Sequence, residues 1–336
     1  MINKIIKLLS FTLMSSTALL SSSIVISDES LASEQIENIV VTATRNEQQQ
    51  QDIAGAITRS DEEEISLTSH IHINQMGTRF PGTWISRGNG QEHLTSIRSP
   101  VFTGSGSCAE TLVSEDGLPV RPTGMCNVNQ MFEINSEQAS GIEVWRGAGT
   151  VVHGSNAMHG VFNVISPLIE DNYASIGVGS NNHKNIRLGA KAQYKTGLWQ
   201  VAANGASDGG YKEDSGYEQQ KLSVKNFYSL KDIDFLTYLS ITNLNQETAG
   251  YIKGFNSYKD SQNRRENLNP EAFRDAQSMR LSSKIEGNFK GYKWSATPYF
   301  RKSKMNFLQH YLPGQPQESN GQYSNGIQNN KISLYA

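Results

Sequence analysis

The sequence predicts a small α+β domain followed by the antiparallel transmembrane strands of an incomplete β-barrel of about eight strands. Its 336 residues include 29 glycines but only 9 prolines, with 9% aromatic residues, a mixture typical of strands and turns. After Pro167, apolar and polar residues alternate along successive segments, which is the period of a strand. Short and long links between these segments also alternate, as they do in outer-membrane barrels.

Composition argues against three broad classes of protein. The formal net charge is −2, so the chain has no basic excess for nucleic acid. A hydrophobic content of 37% fits neither a disordered tail nor a bundle of membrane helices. We therefore expect a folded protein that does not bind nucleic acid.

The N-terminus has the pattern of a secretory signal. Lys4 and Lys7 precede an apolar stretch from Leu8 to Ile26, and Ser30-Leu31-Ala32 supplies small residues for a signal peptidase. We interpret residues 1–32 as a signal peptide, with a membrane anchor as the alternative. The mature chain is then expected outside the cytoplasm.

Residues 33–51 are predicted to form a flexible arm. They are polar apart from the island Ile39-Val40-Val41, and they end in four consecutive glutamines. Such a segment buries too little apolar surface to offset its chain entropy. The β-branched island is suited to pairing with the sheet edge of another protein. The alternative is that it is the first strand of the next domain.

Residues 52–167 are predicted to form the α+β domain. The acidic run Asp61–Glu64, followed by spaced apolar residues, predicts one or two helices, and Asp116-Gly117 predicts a tight turn. Five strand-like pieces lie between glycine-rich turns, at Thr83–Arg87, Thr95–Arg98, Thr111–Glu115, Ile142–Arg146 and Val161–Ile165.

Residues 168–336 are predicted to form the barrel strands. In Asn185–Tyr194, for example, apolar residues occupy every second position and polar residues lie between them. The predicted strands are 173–181, 184–194, 198–209, 219–229, 233–244, 278–289, 292–303 and 330–336. Aromatic residues near the strand ends suit a membrane girdle, namely Trp199, Tyr211, Tyr292 and Trp294.

The two cysteines, Cys108 and Cys126, are predicted to form a disulfide. Export places them in an oxidising compartment, and their spacing matches neither a zinc site nor a CxxC redox motif. Two free buried thiols are the alternative.

Several motifs over residues 36–166 resemble those of TonB-dependent outer-membrane receptors. Residues 37–45 resemble the TonB box, whose TonB-binding positions are Ile39, Val40, Val41, Thr42, Ala43 and Thr44. Four further motifs resemble signatures of the family's plug domain, namely Ile97-Arg98, Glu115–Val120, Ile142–Gly147 and Gly154–Ile165. The last of these is the most specific.

The resemblance implies energy-coupled uptake of a scarce ligand, such as a ferric siderophore, haem or cobalamin. It also implies a location in the outer membrane of a Gram-negative cell, among its lipids. TonB, with ExbB and ExbD, would be the partner in the periplasm, and a small molecule or metal chelate would be the ligand. No resident cofactor or metal is predicted.

The resemblance also suggests roles for six residues of the plug. Arg98 and Arg146 resemble the arginines that lock the plug to barrel glutamates, expected here in later strands, although Ser99 and Ala148 depart from the family pattern. The alternative is that both arginines are exposed turn residues. Ligand-binding candidates, whose alternative is ordinary polar loop residues, are Arg87, Asn89, Gln91 and His93.

The length of the chain limits the barrel that it can form. Barrels of this family have about 22 strands, which need on the order of 220 residues, whereas 170 residues follow position 166. We therefore expect the N-terminal part of a receptor. The alternatives are a truncated product that binds TonB or ligand without transporting, or an outer-membrane adhesin or enzyme.

The sequence gives little support for catalysis or metal binding. His70 and His72 lie at strand spacing, but no cysteine or third histidine is close, and a solvated stretch is the simpler prediction. Ser107 and Ser155 lack the nucleophile elbow of hydrolases. We therefore predict that the chain is not an enzyme.

Overall fold

The computed structural model describes most of the chain after residue 39. The described residues are 40–41, 48–88, 90–100, 111–120, 130–149, 153–154, 156–250, 252–310, 323–330 and 334–335. Within those ranges, no helix has the length and apolar character needed to cross a membrane.

The described part of the arm forms a short antiparallel pair. Strand β1 (Val40–Val41) pairs with β2 (Gln48–Gln49), and Val41 lies opposite Gln48. The β-branched island of the sequence therefore pairs with the glutamine tract of its own arm. In the described residues these two strands form a separate sheet, and they do not join the next domain.

The described residues of the N-terminal domain contain two short α-helices and seven strands. Its elements in chain order are β3 (Ala56–Asp61), α1 (Glu62–Thr68), α2 (Asn74–Gly77), β4 (Thr83–Arg87), β5 (His93–Ile97), β6 (Thr111–Glu115), β7 (Leu118–Pro119), β8 (Gly141–Arg146) and β9 (Gly160–Ile165). Five strands form one sheet in the order β3-β8-β9-β6-β7, with β6 and β9 parallel, while β4 and β5 form a hairpin. All five strand-like pieces predicted from the sequence are strands here.

Local sequence signals explain where these elements begin and turn. The Asp61 carboxylate accepts a hydrogen bond of 2.8 Å from the Glu64 N–H, which caps α1. The turn between β6 and β7 uses Asp116 and Gly117, with φ of 50° and 76°. Positive φ at both positions matches the turn predicted from Asp-Gly.

The larger of two apolar clusters in the described N-terminal domain joins its helices to its strands. Ile65, Met76, Phe80, Ile97 and Phe162 are each at most 1% exposed. The rings of Phe80 and Phe162 meet edge to face, with centroids 5.8 Å apart. These contacts join the two helices, the β4–β5 hairpin and the main sheet.

The remaining strands form a single antiparallel sheet, here called the wall sheet. Its strands are β10 (Tyr173–Val178), β11 (Lys184–Tyr194), β12 (Gly197–Asp208), β13 (Tyr217–Leu230), β14 (Ile233–Gln246), β15 (Phe273–Phe289), β16 (Tyr292–His310), β17 (Tyr323–Asn330) and β18 (Leu334–Tyr335). Strands β10 to β17 pair in chain order, and β18 also pairs with β16. In the described residues β10 and β17 are unclosed edges of this sheet.

Seven of the eight strands predicted for this region are found, the eighth prediction, 330–336, contains only one whole strand, the two-residue β18, and β17 was not predicted. The prediction put a strand at 330–336, whereas β17 ends at Asn330 and β18 has two residues. The cause is the length of β16, which continues to His310, so β17 pairs with its far end at Ser303–His310. The predicted strand ended at residue 303, whereas the hydrogen-bonded pairing of β16 continues to His310.

The two faces of the wall sheet have opposite character. In β15, Arg274 and Arg280 are buried against the N-terminal domain, whereas Met279 and Leu281 are 36% and 39% exposed. The apolar side of the alternation therefore faces outward and the polar side inward. This is the arrangement of a transmembrane barrel and the reverse of a soluble sheet.

Short and long links alternate between the wall strands, as the sequence predicts. Lys290 and Gly291, with φ of 52° and 85°, form the tight turn between β15 and β16. The links after β12 and β14 are longer, covering residues 209–216 and 247–272. Trp199, Tyr292 and Trp294 are exposed near the short turns, whereas Tyr211 lies in a long link beneath Arg265.

Candidate functional site: the contact between the N-terminal domain and the wall sheet

One segment of the N-terminal domain makes most of the contact with the wall sheet. Residues 131–138, here called the docking segment, contain parts of two 3-10 turns, and every one of them is buried. The Phe132 side chain packs in an apolar cluster with side chains of four wall strands, namely Tyr217, Leu244, Ala276 and Met305. Gln219 of β13 donates to the Phe132 carbonyl at 3.1 Å.

Glu133 is the centre of a buried ion network. Both of its carboxylate oxygens accept from Nη2 of Arg301 at 2.9 Å, and Oε1 also accepts from Ser303 Oγ at 3.1 Å. Its backbone carbonyl accepts from Thr242 at 2.9 Å and from Arg280 at 3.1 Å. The Arg301 and Glu133 side chains are 3% and 1% exposed. A pair this deeply buried requires both partners, because either charge alone is costly in low dielectric.

Glu115 makes a second ion pair at the end of β6. Its Oε2 accepts from Arg280 Nη2 at 2.7 Å, and its Oε1 accepts from the Tyr238 hydroxyl at 3.0 Å. Burial raises the pKa of the Glu115 carboxyl, and the Arg280 charge offsets that effect only in part. Arg280 therefore connects both Glu115 and Glu133 to one wall strand.

Glu137 makes a third ion pair with β13. Lys221 Nζ lies 2.8 Å from both Glu137 carboxylate oxygens and also donates to the Ile134 carbonyl at 2.8 Å. Burial acts to raise the pKa of Glu137, but the Lys221 ammonium and His70 outweigh it, so the pKa is lowered. The carboxylate is thus held in its charged form at the interface.

Three histidines of the N-terminal domain form a buried group beside this interface, which corrects the prediction of a solvated stretch. His70, His72 and His93 are at most 1% exposed. His70 Nε2 lies 3.0 Å from Ser136 Oγ, and His72 Nε2 lies 3.0 Å from the Glu92 carbonyl. The sequence could not show this, because the buried surroundings come from distant residues of the docking segment and of β11.

Burial lowers the pKa of all three histidines. The values are about 4 for His70, about 4 for His72 and about 3 for His93, with desolvation as the largest cause in each. Arg187, near His70, and Arg274, near His93, act in the same direction. The imidazoles are therefore neutral near neutral pH.

The structure places the two predicted locking arginines next to one another on the N-terminal domain. Arg98 is exposed with φ of 49°, and Arg146 donates to the Pro81 carbonyl at 3.0 Å and weakly to the Ala56 carbonyl at 3.4 Å. These partners all belong to the N-terminal domain. A lock formed with glutamates of later strands stays a prediction.

The predicted ligand-binding residues have different environments. Arg87 is exposed at the end of β4, whereas Gln91 and His93 are 5% and 1% exposed. The Gln91 backbone N–H donates to Gln246 Oε1 at 2.7 Å, and its side chain donates to the Ile71 carbonyl at 3.1 Å. Gln91 and His93 thus support the domain contact, while Asn89 lies outside the described residues.

Several predicted site residues also lie outside the described residues. These are Ile39, Thr42, Ala43, Thr44, Cys108 and Cys126. The disulfide therefore stays a prediction. Of the TonB-box positions, Val40 and Val41 are described by their backbone pairing with β2.

Sequence reasoning missed the residues that join the two parts. Glu115, Glu133 and Glu137 contribute the acids, whereas the prediction placed the arginines in the N-terminal domain and the glutamates in the barrel. The signal was present in the strand alternation, because the polar side of β13, β15 and β16 carries Lys221, Arg280 and Arg301. Basic residues on an inward face require buried acids opposite them.

Comparison with known proteins identifies the N-terminal domain. Residues 49–161 match the family described as TonB-dependent Receptor Plug Domain. The chain carries a TonB-dependent receptor plug domain. The contact described above is therefore the contact of a plug domain with the wall sheet.

Solved receptors share this fold at low sequence identity. The ferripyoverdine receptor of the outer membrane of Pseudomonas aeruginosa superposes with a TM-score of 0.63 at 14% identity, over 98% of this chain and 45% of that one. The ferric-catecholate import receptor Fiu from E. coli superposes with a TM-score of 0.61 at 13% identity, over 83% of this chain and 44% of that one. The siderophore receptor PiuA from Acinetobacter baumannii superposes with a TM-score of 0.60 at 15% identity, over 84% of this chain and 40% of that one. This chain thus spans less than half the length of each.

The buried histidines predict acid sensitivity of the plug. Their folded-state pKa values lie below the ordinary value of 6.5, so the stability they contribute is present above that pH. It should be lost as the pH falls from about 6.5 towards about 4, by up to about 4 kcal/mol per pH unit for the three together. Urea unfolding of the detergent-extracted protein at several pH values measures this slope.

A triple glutamine variant is the matched test of that slope. Replacing His70, His72 and His93 with glutamine keeps polar side chains but removes the proton-binding groups. We expect a flatter dependence of the urea midpoint on pH than in the unmodified protein. An unchanged slope would show that other groups cause the acid sensitivity.

Proposed function

We propose that this chain supplies the plug and the first wall strands of a TonB-dependent outer-membrane receptor that imports a scarce ligand. The observation that carries the proposal is a plug fixed by the buried pairs Glu133–Arg301, Glu115–Arg280 and Glu137–Lys221 to strands whose other face is apolar. A plug inside a lipid-facing wall closes a pore, and opening that pore requires work. Transport would use TonB, with ExbB and ExbD, as the source of that work.

A small metal chelate is the ligand class that we favour. The similar structures are named as receptors for ferripyoverdine and for ferric catecholates, and another is named as a copper transporter. Haem and cobalamin are further members of the class of scarce ligands. Arg87, which is exposed, and Asn89 in the following loop are the preferred contacts, since Gln91 and His93 are buried.

The TonB box is the proposed site of coupling. Ile39 to Thr44 would pair as a strand with TonB, and Val40-Val41 already has strand conformation in its pair with Gln48-Gln49. Signal-directed export and insertion among outer-membrane lipids complete the proposal. Arg98 and Arg146 remain candidates for an additional lock.

A second candidate function is binding without transport. The wall sheet has open edges at β10 and β17 within the described residues, and open edges in a membrane leave backbone groups unpaired. A protein with that open sheet would bind TonB or the ligand through its plug but would not transport the ligand. Uptake measurements separate the two functions.

The test of transport is uptake of iron-55 chelates by iron-starved cells. Cells that express the protein should accumulate one chelate of the siderophore class, and deletion of TonB should abolish the accumulation. Binding of the same chelate to outer-membrane fractions should persist without TonB. Accumulation that is independent of TonB would contradict the coupled mechanism, and binding without accumulation in either strain would favour the second function.

A further inference from the structure

Two lysines interrupt the apolar outward face of β16. Arg301 and Ser303 point inward, because both bond to Glu133 of the plug. Side chains alternate along a strand, so Lys302 and Lys304 point outward, and both are exposed. The preceding outward positions of β16 are apolar, namely Tyr292, Trp294, Ala296, Pro298 and Phe300.

The apolar run below the lysines has the length of a membrane band. Tyr292 to Phe300 extends about 26 Å along the strand at about 3.3 Å per residue. A tilt of about 40° reduces this to about 20 Å of height, close to the apolar band of outer-membrane barrels, which is about 25 Å. Lys302 therefore lies at the edge of the hydrocarbon layer, and Lys304 lies about 7 Å further along the strand.

The neighbouring strands change character at the same level. On β15 the outward residues pass from Leu281 and Met279 to Gln277, which lies opposite Lys304. The Gln277 side chain donates to Asn243 Oδ1 of β14 at 3.1 Å. Asn243 in turn donates to Gln220 Oε1 of β13 at 2.7 Å. Polar side chains on four neighbouring strands, β13 to β16, thus form a row where the apolar band ends. This row lies on the side of the long links.

The described residues around the two lysines give them no ion-pair partner. Among the described side chains, none forms an ion pair within 4.0 Å with Lys302 or Lys304. Their cross-strand partners on β15, Met279 and Gln277, are neutral. Asp275, the next outward residue of β15, accepts from the Gln246 N–H at 3.2 Å. Within the part of the chain that the structure describes, the two ammonium groups at the headgroup level therefore have no carboxylate in ion-pair contact.

We propose that Lys302 and Lys304 bind the phosphate of a lipid in the outer leaflet. The lysine stems would lie along the apolar band while their ammonium groups reach the lipid headgroup. The amide row beside them offers hydrogen bonds to the same headgroup. This inference rests on the proposed outer-membrane location, and it concerns the lipid around the barrel rather than the imported ligand.

The test measures lipid binding by the protein extracted from outer membranes in detergent and stripped of lipid. Phosphatidic acid is titrated in mixed micelles, with phosphatidylcholine as the neutral comparison. We expect the Lys302→Gln, Lys304→Gln double variant to raise the Kd for phosphatidic acid about 10- to 30-fold, because each lysine near an anionic lipid contributes about a factor of five. Binding of phosphatidylcholine should not change.

A matched double variant controls for charge alone. Lys253→Gln with Lys259→Gln removes two exposed lysines from the long link after β14, away from the apolar band. It should bind phosphatidic acid as the unmodified protein does. Equal losses in both double variants, or no loss in the first, would overturn the proposal. Displacement of the lipid by inorganic phosphate at similar concentration would instead assign the site to free phosphate.

Uptake is measured in parallel to separate this inference from the proposed function. A protein that imports nothing but still loses lipid binding in the first double variant supports the lipid site alone. A protein that imports a chelate but shows no lysine-dependent lipid binding refutes the lipid site alone.

Discussion

Replacing Arg301 with methionine should lower the free energy of unfolding of the plug and wall by about 3–5 kcal/mol. The change leaves Glu133, which is 1% exposed, charged and without the guanidinium nitrogen that donates to both of its oxygens. Ser303 and Arg280 would remain nearby, but neither replaces the two bonds of 2.9 Å from Arg301. Urea unfolding of the protein extracted in detergent, followed by protease digestion of the released plug, measures the loss.

Two further variants show whether the loss comes from the buried charge. Adding Glu133→Gln to Arg301→Met removes that charge and should recover much of the stability. Arg79→Met breaks the exposed pair of Arg79 with Glu64, at 3.3 Å, and should cost at most about 1 kcal/mol. A loss below about 1 kcal/mol for Arg301→Met would show that the ion pair does not hold the plug.

Replacing Val41 with proline should abolish ligand uptake while ligand binding stays unchanged. Proline removes the backbone N–H that strand pairing with TonB would use, and it disfavours a strand interior. The same change also disrupts the pairing of Val41 with Gln48 within the arm. If that pairing only restrained the TonB box, losing it would increase uptake rather than abolish it. Uptake and surface binding of the same chelate are measured on the same cells.

A proline elsewhere in the arm is the matched control. Gln35→Pro lies upstream of the box in a polar stretch and should leave uptake near that of the unmodified protein. Normal uptake in the Val41→Pro variant would show that this segment does not couple the receptor to TonB. Loss of both binding and uptake would instead indicate a misassembled protein.

The elements of this fold were predictable to the extent that they rest on local patterns. The alternation in Asn185–Tyr194 predicts β11, because every second residue meets one environment. Asp116-Gly117 predicts its turn, because the positive φ angles it needs cost glycine nothing. The wall strands extend beyond the predicted ends where pairing continues past the apolar residues.

The contact between plug and wall was not predictable from local patterns. The docking segment has no strand or helix period, and its two glutamates would ordinarily be assigned to the surface. Their burial depends on Lys221, Arg280 and Arg301, which lie more than 80 residues away. His70 illustrates the same limit, since its surroundings are completed by Ser136 and Arg187.

The docking of the plug against the inward face of the wall is tested most directly by photo-cross-linking from position 132. A benzoylphenylalanine placed at Phe132 in the outer-membrane protein should cross-link, on irradiation, to peptides that contain Leu244, Ala276 or Met305. The same group at Trp84, which is 63% exposed on the plug, should give no adduct with those peptides. Two results would contradict the docking of Phe132 against the wall sheet. One is a set of adducts from position 132 that contains plug peptides alone. The other is adducts with the same wall peptides from both positions.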